Sequence, residues 1–290
     1  MKAKKKPVGI KQKIREEKKR EQRIALAFAA AILITIISIS SFLVNSMVNQ
    51  PSPNQTAAIS TSEPKAAIVD HLSLTVPNQT FIETATNILK QAGYTVDYYP
   101  SKQVTVDFYR NLPTRGYALV ILRVHSSATD VGGTEGPVAL FTSERVSSTK
   151  YVYEQLTDQL VGVAYSVEEK ERGIAYFGIN PPFITHSMKG KFQNTTIIMM
   201  GCEGLDNPLM AEAFRQKGAK VYISWNQPVS ASHTDLATTT LLQHLLIEKL
   251  TVKQAIQETF KEVGADPAYR SLLVYYPLEV GEQTIESITS

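Results

Sequence analysis

The sequence predicts an α/β fold: a three-layer sandwich around a mainly parallel sheet of about six strands, preceded by one N-terminal transmembrane helix. Three observations predict it. An uncharged apolar run stands near the N-terminus, short apolar segments alternate with amphipathic ones from Lys65 onward, and capping residues fall at the seams between them. With 290 residues, 43% of them hydrophobic, the chain can bury one sizeable core.

The net charge of +3 conceals an asymmetry, because residues 1–23 hold 11 Lys or Arg against 3 Asp or Glu and the remainder is acidic. The basic charge belongs to a tail, so no nucleic-acid partner is expected. "IALAFAAAILITIISISSFLV", Ile24 to Val44, follows without a charge or a proline. Its 21 residues, rising about 1.5 Å each, match the roughly 30 Å hydrocarbon core of a bilayer. The run exceeds a usual signal-peptide core and no A-x-A site follows, so residues 24–48 read as an uncleaved signal anchor. Lys and Arg flank it only on the N-terminal side, which keeps the tail cytoplasmic and sends the C-terminal domain outside the cell membrane in a single pass. Residues 49–64, rich in Ser, Thr, Asn and Pro, form a flexible stalk with a reach of about 22 Å. Asn54, Asn78 and Asn194 each open an N-x-[ST] triplet, compatible with an outside location.

Residues 65–290 supply the folded domain. "AAIVD" (66–70) is a short buried strand. Phe81, Ile82, Ala85, Ile88, Leu89 and Ala92 then mark one face of a helix, with Asn78 capping its start and Gly93 its end. "TVDYY" (95–99) is the second strand, "TVDFYRNLP" a short helix, and "YALVILRVH" (117–125) a central strand buried on both faces. Residues 126–195 break the rhythm as an insertion over the strand ends. It contains a glycine-rich loop, "ATDVGGTEGP", and a hairpin around a charged turn, "VGVAYSVEEKERGIAYFGIN". The alternation resumes with strand "TIIMM" (196–200). A helix follows with Asn207 as N-cap, Pro208 at its first position and Gly218 at its close. "KVYISW" (220–225) is another strand. Ser232 with Asp235 approximates a capping box for a helix through Leu250, and Thr251 with Gln254 opens one more. "SLLVYY" (271–276) completes the set.

In open sheets of this kind ligands meet residues beyond the C-terminal strand ends. His125 ends the third strand, and Cys202, the one cysteine of the chain, follows the fourth. One thiol excludes an internal disulfide framework. An imidazole beside a thiol can take its proton or stabilise the thiolate. Each residue also has a plain reading, the cysteine as a small core side chain and the histidine as a strand cap. No C-x-x-C, H-x-x-x-H or G-x-x-x-x-G-K-[ST] pattern occurs, so neither a metal nor a phosphate-bearing cofactor is expected. His233 and His244 read as structural, and His186 as a distant alternative base.

"ALVILRVHSS" followed by "TTIIMMGCEG" resembles the caspase-like cysteine peptidases, the group that includes caspases, clostripain, gingipains, separase and CHAT domains. The stretch "HSMKGKFQNTTIIMMGCEG" is similar to the segment before the nucleophile in CHAT-type members. The resemblance implies a mixed sheet of about six strands, His125 as general base and Cys202 as nucleophile. It also implies an oxyanion hole built from the backbone N–H groups near Ser126 and of Cys202. Where the family has Gly after the histidine, this chain has Ser126. By the same resemblance Asp70 with His71, Met200, and Trp225 with Asn226 line the pocket before the cleaved bond, which would suit Arg or Lys. The plainer alternative is that Asp70 caps a turn and Trp225 packs the core. The expected activity is an extracytoplasmic cysteine endopeptidase acting on a peptide or protein. The alternatives are a non-catalytic binding module and a transamidase using the same dyad.

Overall fold

The computed structural model describes residues 63–131 and 134–289, and the side chains of residues 63–129 and 136–289. The expected basic tail, membrane anchor and all but the last residues of the stalk lie outside the described residues. Among the described residues no helix is long and apolar enough to cross a membrane.

The main sheet contains six strands. β1 (Lys65–Asp70), β2 (Thr95–Pro100), β3 (Leu119–Arg123), β8 (Thr196–Met199), β9 (Val221–Trp225) and β10 (Leu273–Tyr276) lie in the order β10-β9-β8-β3-β1-β2. All neighbours are parallel except β10, which runs antiparallel to β9. The order reverses beside β1, because β2 lies on one side of it and β3 on the other. Such a reversal opens a crevice at the strand tips.

Side-chain alternation divides the core between two faces. On β3, Leu119 and Ile121 join one cluster, and Val120 and Leu122 join the other. The first face is covered by α1 (Gln79–Gln91), α6 (Ala231–Leu242), α7 (Val252–Val263) and α8 (Ile285–Thr289). The second is covered by α2 (Val106–Asn111), α5 (Leu209–Gln216) and part of the inserted segment. Each fully buried Val, Leu or Ile contributes about 1.5–3 kcal/mol of transfer free energy.

The insertion is more ordered than the sequence suggests. β4 (Ser126–Val131) and β5 (Thr134–Arg145) pair antiparallel across the stretch expected to be a glycine-rich loop. After α3 (Val152–Leu156), β6 (Leu160–Val163) pairs with β7 (Tyr176–Ile179), as the hairpin reading expects, with α4 (Val167–Glu171) in the connection. These strands form a second sheet in the order β4-β5-β7-β6. Leu140, Leu160, Phe177 and Ile179 share a core cluster with Val120 and Leu122, so this sheet covers a face of the main one as well as bordering its tips.

The caps fall partly as expected. Asn78 Oδ1 accepts from Phe81 N–H at 3.1 Å, and Thr251 with Gln254 forms a reciprocal capping box. The box expected from Ser232 and Asp235 does not form: α6 starts earlier, with Ser230 at its N-cap, and Asp235 is held by an arginine. That helix ends at Leu242 and passes into a π-helical turn, Gln243–Ile247, short of Leu250. α5 starts at Leu209, so Pro208 occupies the cap position, and Asn207 Oδ1 accepts from Leu209 N–H at 3.2 Å.

Candidate active site at the strand tips

β3 ends at Arg123, two residues earlier than expected, and the chain passes through Val124 and His125 into β4. β8 ends at Met199 and passes through Met200 and Gly201 to Cys202. Leu122 and Met199 are partners in the β3–β8 ladder, and His125 and Cys202 each lie three residues beyond that pair. The two therefore leave adjacent strands at the same level.

Their side chains are engaged elsewhere. His125 Nε2 is 3.1 Å from Thr75 Oγ1, and the ring packs against His71 edge-on at 5.7 Å, Tyr165 at 5.9 Å and Phe141 at 6.0 Å. Burial, with the nearby Arg123 cation, holds the His125 imidazole below its usual pKa. It is neutral near pH 7 and free to accept a proton. Cys202 Sγ accepts from Val229 N–H at 3.5 Å and donates to Val229 O at 3.7 Å, packed beside Trp225 and Ala237. Burial raises the thiol pKa, Glu203 and Asp266 add to the rise, and the Val229 contact opposes it. Among the described residues no hydrogen bond joins imidazole to thiol, since one turns toward the β1 side and the other toward the β9 side.

Beneath the crevice lies a buried ion trio. Arg123, 0% exposed, donates from Nη1 to Asp70 Oδ1 (2.8 Å), from Nε to Asp235 Oδ1 (2.7 Å), and from Nη2 to Asp235 Oδ2 (2.8 Å) and Val76 O (2.9 Å). Tyr98 OH donates to Asp70 Oδ2 and Asn78 Nδ2 to Asp235 Oδ2. Burial and the Asp70 charge push the Tyr98 phenol up to about 12. The trio ties β1, β3 and α6 together just below the candidate site.

The expected substrate pocket is largely consumed by structure. Asp70 is 1% exposed and bound to Arg123, so it is a partner of this chain's own cation. His71 is buried. Tyr165 OH gives its one proton to Thr142 O at 2.8 Å, so at its 3.0 Å contact with His71 Nε2 it must accept. Burial and the neighbouring His125 lower His71 to about 3, which keeps it neutral. Met200 lies in the core, and Trp225, 1% exposed, donates from Nε1 to Thr234 Oγ1 at 2.8 Å. Asn226 remains partly open, exchanging hydrogen bonds with the Leu272 backbone. Ser126 is buried with an ordinary φ, and its Cβ does not force the left-handed region. His186 is exposed and lines a different groove with Pro182 and Leu209, whereas His233 is buried against Trp225.

Several participants were missed by sequence reasoning. Arg123 carried a signal, a cation inside the most apolar strand, which demands buried counterions. Thr75, Tyr165 and Asp266 carried none, because each acts through a long-range contact. Among the described residues no group of three or more His, Cys, Asp or Glu side chains is placed to hold a metal ion. No family model matches the chain, and no curated protein matches it either.

Proposed function

We propose that the chain is a membrane-anchored extracytoplasmic cysteine endopeptidase of the caspase-like type, with His125 as general base and Cys202 as nucleophile. The observation that carries this reading is the Leu122–Met199 pairing, which brings the histidine and the only thiol to adjacent strand tips at one level. The mixed six-strand order with a single antiparallel edge agrees with the arrangement that the resemblance implies.

Side-chain rotation of Cys202 off Val229 and of His125 off Thr75 brings the pair to reaction geometry; unliganded sites are often looser than their complexes. His125 takes the thiol proton, and the sulfur attacks the peptide carbonyl carbon. The Cys202 and Ser126 N–H groups face the resulting oxyanion, and the imidazolium protonates the leaving amine. Water then attacks the thioester with His125 as base, releasing the acid and the thiol. No metal or cofactor enters this scheme. Because Asp70 is spent on Arg123, it supplies no preference for a basic residue before the cleaved bond. A binding module is the second reading, favoured by the raised thiol pKa and the unformed dyad. A transamidase would share every step up to the acyl-enzyme.

Cleavage of a fluorogenic peptide library by the full chain tests the proposal. Turnover abolished in both Cys202→Ser and His125→Ala supports it. Turnover surviving in Cys202→Ser refutes it. Added primary amines appearing in the products would reassign the chain as a transamidase.

A further inference from the structure

The insertion does more than cover the sheet. Phe141 N–H donates to His125 O at 3.0 Å, and Ser126 and Ala128 lie opposite Leu140 and Val138. Antiparallel ladders bond at alternate residues, so Ser126 and Ala128 direct their N–H groups away from β5. β4 is an edge strand of its sheet, and an unpaired edge needs a cover. The cover here is the loop that carries Cys202. Ser126 Oγ donates to Cys202 O at 2.6 Å, and Ala128 N–H donates to Glu203 Oε2 at 2.9 Å.

Two further features show that this contact is built in. Glu203 adopts φ +60, the left-handed region that non-glycine residues seldom occupy, while its N–H donates to Gln227 O at 3.1 Å. Gly201 lies so close to β4 that a Cβ there would collide with Ser126 Oγ and approach Val124 O to 2.6 Å. The serine hydroxyl fills the space that the glycine leaves.

We propose that Ser126 and Glu203 are positioning residues, a two-bond clasp by which β4 fixes the backbone of Cys202. The inference rests on Cys202 being the nucleophile, and it assigns Ser126 a purpose that the family's usual glycine cannot serve. The clasp brackets the cysteine, one bond on its carbonyl and one on the next side chain, and so sets where its N–H points. Replacing Ser126 with Gly, the residue that the family carries, therefore weakens the oxyanion hole.

An arginine-terminated peptide aldehyde reads the hole. The Cys202 thiol gives its proton to His125 and its sulfur adds to the aldehyde carbon, the carbonyl π pair moves to oxygen, and that oxygen rests on the N–H groups. Iodoacetamide reads the thiol alone, its sulfur displacing iodide. On the full-length protein, Ser126→Gly, Ser126→Ala and Glu203→Ala should each lose about 10-fold in aldehyde affinity, with no loss beyond about twofold in iodoacetamide rate. Glu203→Gln, whose amide oxygen can still accept from Ala128, should recover the affinity, and amide exchange at Ala128 should be fast in Glu203→Ala and slow in Glu203→Gln. Unchanged aldehyde affinity in the Ser126 and Glu203→Ala variants, or equal losses toward both reagents, overturns the clasp while leaving the dyad standing. His125→Ala tests the underlying reading separately: if it alters neither reagent's reaction, the dyad fails and the clasp with it.

Discussion

Removing the guanidinium of Arg123 should be among the most damaging single changes to the domain. In Arg123→Met the side chain keeps its length but leaves Asp70 and Asp235, 1% and 4% exposed, without their cation. Breaking a buried pair from one side costs about 3–5 kcal/mol, because the remaining charge stays desolvated. Here two carboxylates are stranded, and Val76 O loses its donor as well. For a domain of this size that loss lowers the melting temperature by about 6–20 °C. Circular dichroism melts of the full chain in detergent would measure it. The triple variant Arg123→Met, Asp70→Asn, Asp235→Asn should regain more than half of the loss, because neutral groups are cheaper to bury. A deficit below about 1 kcal/mol in the single variant, or no recovery in the triple, would refute the account of the trio.

Three further outcomes are expected. His71 has a folded-state pKa of about 3, below its unfolded value, so the folded state resists the proton. Stability should fall as pH drops below about 6.5, with a slope approaching 1.4 kcal/mol per pH unit, and His71→Phe should remove that slope in urea titrations. At Asp266 burial favours the neutral acid, but N–H groups of Ser230, Ala268 and Tyr269 outweigh it and hold the pKa below the usual carboxylate range. Its contribution is present above the unfolded value of about 3.9 and is lost as pH falls through the folded one, so Asp266→Asn should flatten the acid limb of the stability curve. In Gly204→Ala the new Cβ would collide with Met199 Cε and Ser224 Oγ, and a loss of about 1–3 kcal/mol should appear in melts.

The sequence made the scaffold legible where signals were local. Two-faced apolar strands, the Asn78 cap and the Thr251–Gln254 box all depend on residues within one helical turn or one strand. It failed where long-range pairing decided the outcome. The stretch "ATDVGGTEGP" looked like a glycine-rich loop, yet β4 and β5 pair across it and Glu203 accepts from Ala128 at its edge. Asp235, three residues past Ser232, sat at a plausible box position, but the helix is capped at Ser230 and a charge 112 positions away claimed the carboxylate. The site shows the same division. The placement of His125 and Cys202 at adjacent strand tips was legible from strand order, whereas Asp70, Met200 and Trp225 have internal partners, because no local pattern reveals which buried group already has a mate.

The central claim concerns the coupling of one imidazole to one thiol, and the pH profile of iodoacetamide alkylation measures it most directly. The account predicts rapid labelling of Cys202 near neutral pH, slowed at least about 10-fold by His125→Ala. Equal, slow labelling of both proteins, rising only in the alkaline range of an isolated buried thiol, would contradict it.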